Sequence, residues 1–324
     1  MNVQRRYRAA CRLGRVAVVV VGGAVFVGTL FGPLAGTSVS AFPRLTTPGP
    51  PTTRVPARNP WRTGHTLVLP HGGGDGLYPE DTMLAYEATM AMGADAVDVD
   101  LRLSFDGVVV AIHDPTVTRT TGAKGNVGSM TLAELQRLDA GFTFTRNGKQ
   151  PFRGKGVRIP SLEEILKRFP GTLLSIDLKD ESIAMNAPVC AVLRRYHRST
   201  DVFVGSNGDA QILAFRKTCP GIATSATMVD VYASQAARKS NDPTFKPDAL
   251  VDQPPYRIGQ RTLVDKEGLA FAHSHGIAIL TWVVNDEKDM KTLIDLGVDG
   301  IYTSYPDRLL RLLGRGPKTP AVSK

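Results

Sequence analysis

The chain has 324 residues, 39 Lys+Arg against 30 Asp+Glu, a formal net charge of +9 and 42% hydrophobic residues. That apolar content supports a sizeable core and excludes wholesale disorder, and the length allows one large domain or two ordinary ones. The charge is confined to one end. Residues 1–74 hold nine arginines and no acidic residue, and from Asp75 onward the chain is balanced at 30 of each sign. A neutral body argues against nucleic acid as a partner.

Residues 1–15 hold five arginines, residues 16–36 hold no charge, and residues 37–41 are small. A basic start, an apolar middle and a small-residue end predict an export signal over 1–41, or an N-terminal membrane anchor if it stays uncleaved. Either way the body is expected outside the cytoplasm, secreted or tethered to the outer face of the membrane. Membrane contact is then expected only through this segment. Residues 42–60 hold six prolines and read as an extended linker. Cys11 lies in the leader, so Cys190 and Cys219 are the only pair in the body. An exported chain permits a disulfide between them, and two separate buried thiols are an equal alternative.

From residue 61 to residue 314, short β-branched runs alternate with amphipathic stretches. The runs are 66–70, 96–101, 108–112, 172–178, 202–205, 223–227, 249–251, 277–284 and 300–303. The helical stretches are 81–92, 131–138, 161–169, 183–195, 210–217, 263–275 and 287–296. This alternation predicts an α/β fold, a parallel sheet closed as a (β/α)8 TIM barrel, with an open doubly wound sheet as the alternative. Nine runs compete for eight places, so one is misread or lies outside. The turn signal Ser104-Phe105-Asp106-Gly107 joins two runs without a helix. Residues 315–324 form a tail.

In such barrels the chemistry sits where strands end. The first run ends at His71, the second carries Asp98 and Asp100, the third ends in His113-Asp114, and the fourth in Asp177-Leu178-Lys179-Asp180. Alternation puts Asp98 and Asp100 on one face, and likewise Asp177 and Lys179. Carboxylates gathered at neighbouring strand ends repel unless a cation sits among them, and a hard divalent ion with oxygen ligands answers that need.

These residues, in this order, resemble the glycerophosphodiester phosphodiesterase family. His71-Gly-Gly-Gly-Asp-Gly-Leu-Tyr-Pro-Glu-Asp-Thr82 is similar to the family's H-R-G…P-E-N-T. Gly93-Ala-Asp-Ala-Val-Asp-Val-Asp100 is similar to G-A-D-x-x-E-x-D, and the segment 105–114 to K-D-G-x-x-V-x-x-H-D. Asp177-Leu-Lys179 matches E-x-K, and Thr281-Trp-Val-Val-Asn285 and Gly297-Val-Asp-Gly-Ile301 follow late in the chain.

The resemblance implies a barrel of the phospholipase C-like phosphodiesterase type that hydrolyses glycerophosphodiesters to glycerol 3-phosphate and an alcohol. It implies His71 and His113 as the acid/base pair. It further implies Asp98, Asp100 and Asp177 as ligands of a divalent ion, Ca or Mg, and Gly72, Glu80, Lys179 and Trp282 on the substrate side. Other readings are a non-catalytic binder of headgroups or cell-wall polymers, or a phospholipase D-type enzyme acting on lysolipids or sphingomyelin.

The sequence departs from the family pattern at Gly72, where Arg is usual, at Asp98 and Asp177, where Glu is common, at Asp81 for Asn and at Ser304 for Asp. The four glycines between His71 and Gly76 suggest backbone N–H groups that bind phosphate. An arginine restored at position 72 is expected to be tolerated.

Overall fold

The computed structural model describes residues 59–316 except Glu181, together with two short strands, Val19–Val21 and Ala24–Phe26, which pair antiparallel. The rest of the expected leader (1–41), the linker up to residue 58, Cys11 and the tail beyond residue 316 lie outside the described residues. Residues 1–48 and 49–324 are separate units, and the fold below belongs to the second. Among the described residues no helix is long and apolar enough to cross a membrane.

The body is built on β1 (Leu67–Pro70), β2 (Ala96–Leu103), β3 (Val109–Ala111), β4 (Leu173–Leu178), β5 (Val202–Ser206), β6 (Ala223–Thr224), β7 (Val251–Asp252), β8 (Ala278–Thr281) and β9 (Gly300–Thr303). Parallel pairing runs β2-β4-β5-β6 on one side and β7-β8-β9-β1 on the other. A parallel bridge between Ser225 and Val251 links β6 to β7, and the Asp95 N–H donates to the Val68 carbonyl to link β2 to β1. Eight strands therefore close a (β/α)8 barrel. The ninth run is β3, which pairs antiparallel with the end of β2 and stands outside the ring.

Each barrel strand is followed by a helix. These are α1 (Met83–Met92), α2 (Leu162–Arg168), α3 (Asn186–Arg195), α4 (Asp209–Thr218), α5 (Met228–Ser240), α6 (Lys266–Ser274), α7 (Glu287–Leu296) and α8 (Pro306–Leu312). Their starts are written locally. Ser161 with Glu164 and Thr227 with Asp230 form capping boxes at α2 and α5, and Pro306 opens α8 where its missing N–H costs nothing. Between β2 and α2, residues 104–161 form a long insertion at the strand C-terminal face, holding the β2–β3 turn, two short helices (Thr118–Thr121 and Leu132–Leu135) and an extended loop.

The barrel interior packs Leu67, Leu69, Phe203, Leu280 and Tyr302, and fully buried Trp61 belongs to this cluster, edge-on to Phe203 at 4.7 Å between ring centres. Cys190 on α3 and Cys219 just past α4 form a disulfide, which decides between the two readings of that pair.

Candidate active site

The parallel register of β2 and β4 sets Asp98 beside Ser175 and Asp100 beside Asp177. Asp98 and Asp100 are buried. Lys179 Nζ lies 2.6 Å from Asp177 Oδ2 and 3.1 Å from Asp100 Oδ1, so one ammonium serves both carboxylates. Burial works against that charge, yet Asp177 and Asp100 hold Lys179 above the usual ammonium range. Burial pushes Asp100 up to about 6 despite Lys179, with Asp177 and Asp98 adding repulsion.

His71 sits in a single 3-10 turn at the end of β1, with Nδ1 3.3 Å from Asp75 Oδ2. Burial disfavours its charge, but the Asp75 hydrogen bond and the charges of Asp98, Asp75 and Asp100 outweigh burial and push it up to about 9. His113 follows β3, with Nδ1 2.8 Å from Asp114 Oδ1. Its positive form is close enough to Asp100 to oppose the rise in that carboxyl's pKa. Each histidine thus has a carboxylate on Nδ1, which orients the ring and leaves Nε2 for a reacting group.

Glu80 and Asp114 are joined by Arg119. Its Nε donates to Asp114 Oδ2 at 2.7 Å, and its Nη2 donates to Glu80 Oε2. Trp282 is at the rim after β8, 39% exposed, with Nε1 donating to the Gln253 carbonyl at 2.5 Å.

The glycine loop does something other than expected. The N–H groups of Gly72, Gly74 and Gly76 are taken by Asp98 Oδ2, the His71 carbonyl and the Ser304 carbonyl. The glycines serve close packing instead. A Cβ on Gly73 would lie 2.8 Å from the Ala85 Cβ, and one on Gly76 2.6 Å from the Tyr305 ring. Gly72 has φ +52°, and its Cβ would meet the Glu80 Cγ at 2.9 Å. An arginine there is strained by its backbone and crowds Glu80, which corrects the expectation that it is tolerated.

The carboxylates divide unequally as ligands. Asp100 Oδ2 and Asp177 Oδ1 are buried and have no hydrogen-bond partner. These two orphaned oxygens at adjacent strand ends fit a hard divalent cation. Asp98 is engaged on both oxygens, Oδ2 by Gly72 N–H at 3.1 Å and Oδ1 by the Ser175 hydroxyl at 2.8 Å. Among the described residues no three His, Cys, Asp or Glu side chains stand together as a ready metal cage.

Sequence reasoning missed Asp75, Arg119, Ser175, Tyr302 and Gln253. Tyr302 links Ser175 to Gln253, lying 2.9 Å from Ser175 Oγ and accepting from Gln253 Nε2 at 2.8 Å. Asp75, four residues after a candidate histidine, was the one legible signal among them.

Comparison with known proteins decides the family. Residues 71–308 match the glycerophosphoryl diester phosphodiesterase family. The chain belongs to this family. It is 30% identical to a glycerophosphodiester phosphodiesterase of Bacillus altitudinis over 259 residues, 76% of this chain and 98% of that one. It is 26% identical to a human lysophospholipase D over 271 residues, covering 74% of this chain and 84% of that protein. A crystal structure from Silicibacter pomeroyi, named as a putative glycerophosphoryl diester phosphodiesterase, superposes with a TM-score of 0.63 at 25% identity, over 80% of this chain and 98% of that one. The chain is accordingly a phosphodiester hydrolase on a TIM barrel, of a family generally dependent on a divalent cation.

Proposed function

We propose that this chain hydrolyses glycerophosphodiesters to sn-glycerol 3-phosphate and an alcohol, with His71 and His113 as the acid/base pair. The observation that carries the reading is the pair of histidines, each held at Nδ1 by its own carboxylate, at strand ends that also present Lys179. In-line displacement at phosphorus needs one group to take a proton from the attacking oxygen and one to give a proton to the leaving oxygen. The Asp75 carboxylate on Nδ1 favours the protonated form of His71, which suits the acid role. His113 then takes the base role, its ring oriented by Asp114 and Asp114 held in turn by Arg119. Lys179 meets the phosphate charge.

Asp100 and Asp177 would hold the divalent cation through their free oxygens, with Asp98 behind them bracing the β1 loop at Gly72. When bound, the ion supplies charge stabilisation to the phosphoryl oxygens. Calcium and magnesium are the ions to test.

Export completes the reading. The basic and apolar leader and the Cys190–Cys219 disulfide both suit an oxidising compartment outside the cytoplasm. The test is turnover of glycerophosphocholine by purified protein with and without calcium or magnesium, with product analysis. Glycerol 3-phosphate and choline together support the proposal. Silence across several headgroups with either metal sinks it.

A further inference from the structure

Among the described residues nine large apolar side chains are exposed, and all but Leu213 lie at the strand C-terminal end of the barrel. Phe105 tips the β2–β3 turn, Phe142 belongs to the insertion, Ile183 follows β4, Val229 and Tyr232 lie in the first turns of α5 after β6, and Trp282 follows β8. Single exposed apolar residues need no explanation, but their gathering around one mouth does.

A second observation is independent of the first. The insertion loop 140–161 holds Arg146, Lys149, Arg153, Lys155 and Arg158 and no acidic residue, and all five cations are exposed. None of them pairs with a carboxylate of the described residues, and Arg153 stacks on Phe142 at 3.9 Å. The loop is anchored beside the active site: Phe152 packs near Tyr78 of the β1–α1 loop at 6.1 Å between rings, and Thr143 Oγ1 donates to the Arg119 carbonyl at 2.5 Å.

We propose that the active face docks on an anionic phospholipid bilayer, the loop cations against the headgroup charge and the apolar rim dipping into the interface. Basic residues beside exposed aromatics are the chemistry that holds a protein on a negatively charged lipid surface. The rim residues come from separate loops around the mouth instead of forming one flat patch. The proposal goes beyond the expectation of membrane contact through the N-terminal segment alone. The docking rests on the hydrolase reading only for its purpose, and its test does not depend on turnover.

The chain has two tryptophans, Trp61 fully buried in the barrel and Trp282 at the rim, so changes in acrylamide quenching report on the mouth and not on the N-terminal segment. The full chain is titrated with vesicles of phosphatidylcholine alone and with added phosphatidylglycerol. Phosphatidylglycerol vesicles are expected to shift the emission to the blue and lower the quenching, and phosphatidylcholine vesicles to do neither. Changing Arg146, Lys149 and Lys155 to Gln is expected to weaken the apparent vesicle affinity about fivefold per cation at low salt.

Unchanged Trp282 quenching on the phosphatidylglycerol vesicles overturns the proposal. So does an equal response to soluble dextran sulfate, which would mean that the face reads a polyanion, or an unchanged affinity in the triple variant. Turnover of soluble glycerophosphocholine, followed in the same samples, shows that the variant is folded. Turnover without a vesicle response strikes docking alone, and a vesicle response without turnover strikes the hydrolase reading alone.

Discussion

The two ends of this barrel treat carboxylates in opposite ways. At the closed end Asp95, Asp201 and Asp299 each sit one residue before a strand, and each is paired. Arg315 grips Asp95 with two nitrogens at 2.7 and 2.9 Å, Arg198 lies 2.8 Å from Asp201, and Asp299 meets His273 at 2.8 Å and the Ile279 N–H at 2.8 Å. At the open end five buried carboxylate oxygens have no hydrogen-bond partner, on Asp75, Asp81, Asp100, Asp177 and Asp307, and these are the only such carboxylate oxygens among the described residues. Saturated carboxylates fasten chain segments together. Unsaturated ones hold back favourable contacts for a cation or a substrate, and the fold carries the cost.

The contrast can be broken at either end. The largest effect is expected from His71→Ala or His113→Ala, which should lower kcat for glycerophosphocholine by about 10²–10⁴-fold while the melting temperature holds. Near-normal turnover in either variant would falsify its role. At the closed end the signs reverse. Asp299→Ala strands the buried Ile279 N–H and leaves His273 and Arg62 without their anion, at about 3 kcal/mol. Its melting temperature should fall by roughly 6–12 °C for a body of this size, with kcat of the folded fraction unchanged. A kcat loss at constant stability would mean that the closed end also shapes the site.

A gentler probe is the ion itself. Calcium or magnesium at about a hundred times its dissociation constant should stabilise the folded chain by about 2.7 kcal/mol. Asp100→Asn should abolish that gain and leave the metal-free melting temperature equal or higher, because burial and like charges already disfavour the ionised Asp100 carboxylate. Thermal melts with and without chelator read both outcomes. A cation effect that survives Asp100→Asn places the ion elsewhere.

Much of this was legible in the sequence, for identifiable reasons. Strand ends are marked by a change from β-branched runs to polar residues, so His71, Asp98, Asp100, His113, Asp177 and Lys179 could be placed before any coordinates. What eluded the sequence depends on contacts without a local pattern. Helix α5 buries only Ala237, so no apolar periodicity announces it, and its capping box was its one signal. β3 reads like any other strand because its residues are buried like the rest, and only pairing direction separates it from the ring. The His71 loop looked like a phosphate cradle because glycines expose amides, but the spacing of α1 and Tyr305 demands glycine for room instead. Arg119 is 39 residues from Glu80, a separation at which no motif reports contact.

The smallest effect expected is also the one that separates the orienting role of Asp75 from a structural one. His71 is pushed up to about 9, above its ordinary value near 6.5. A cation raised in the folded state adds stability that is fully present below about pH 6.5 and is lost as pH rises through about 9. Asp75→Asn removes the hydrogen-bonded charge, so the His71 pKa should fall by about one unit. In chelated protein the stability lost between pH 6.5 and 9 should shrink accordingly. The basic limb of the pH–rate profile, where the acid form of His71 disappears, should move to lower pH by the same amount. At pH 6, where the raised pKa contributes in full, that one-unit fall costs about 1.4 kcal/mol, so the melting temperature should drop by a few degrees there and by less at pH 9. A limb that stays in place while kcat drops uniformly would assign the acid to another group and leave Asp75 as a brace for the loop.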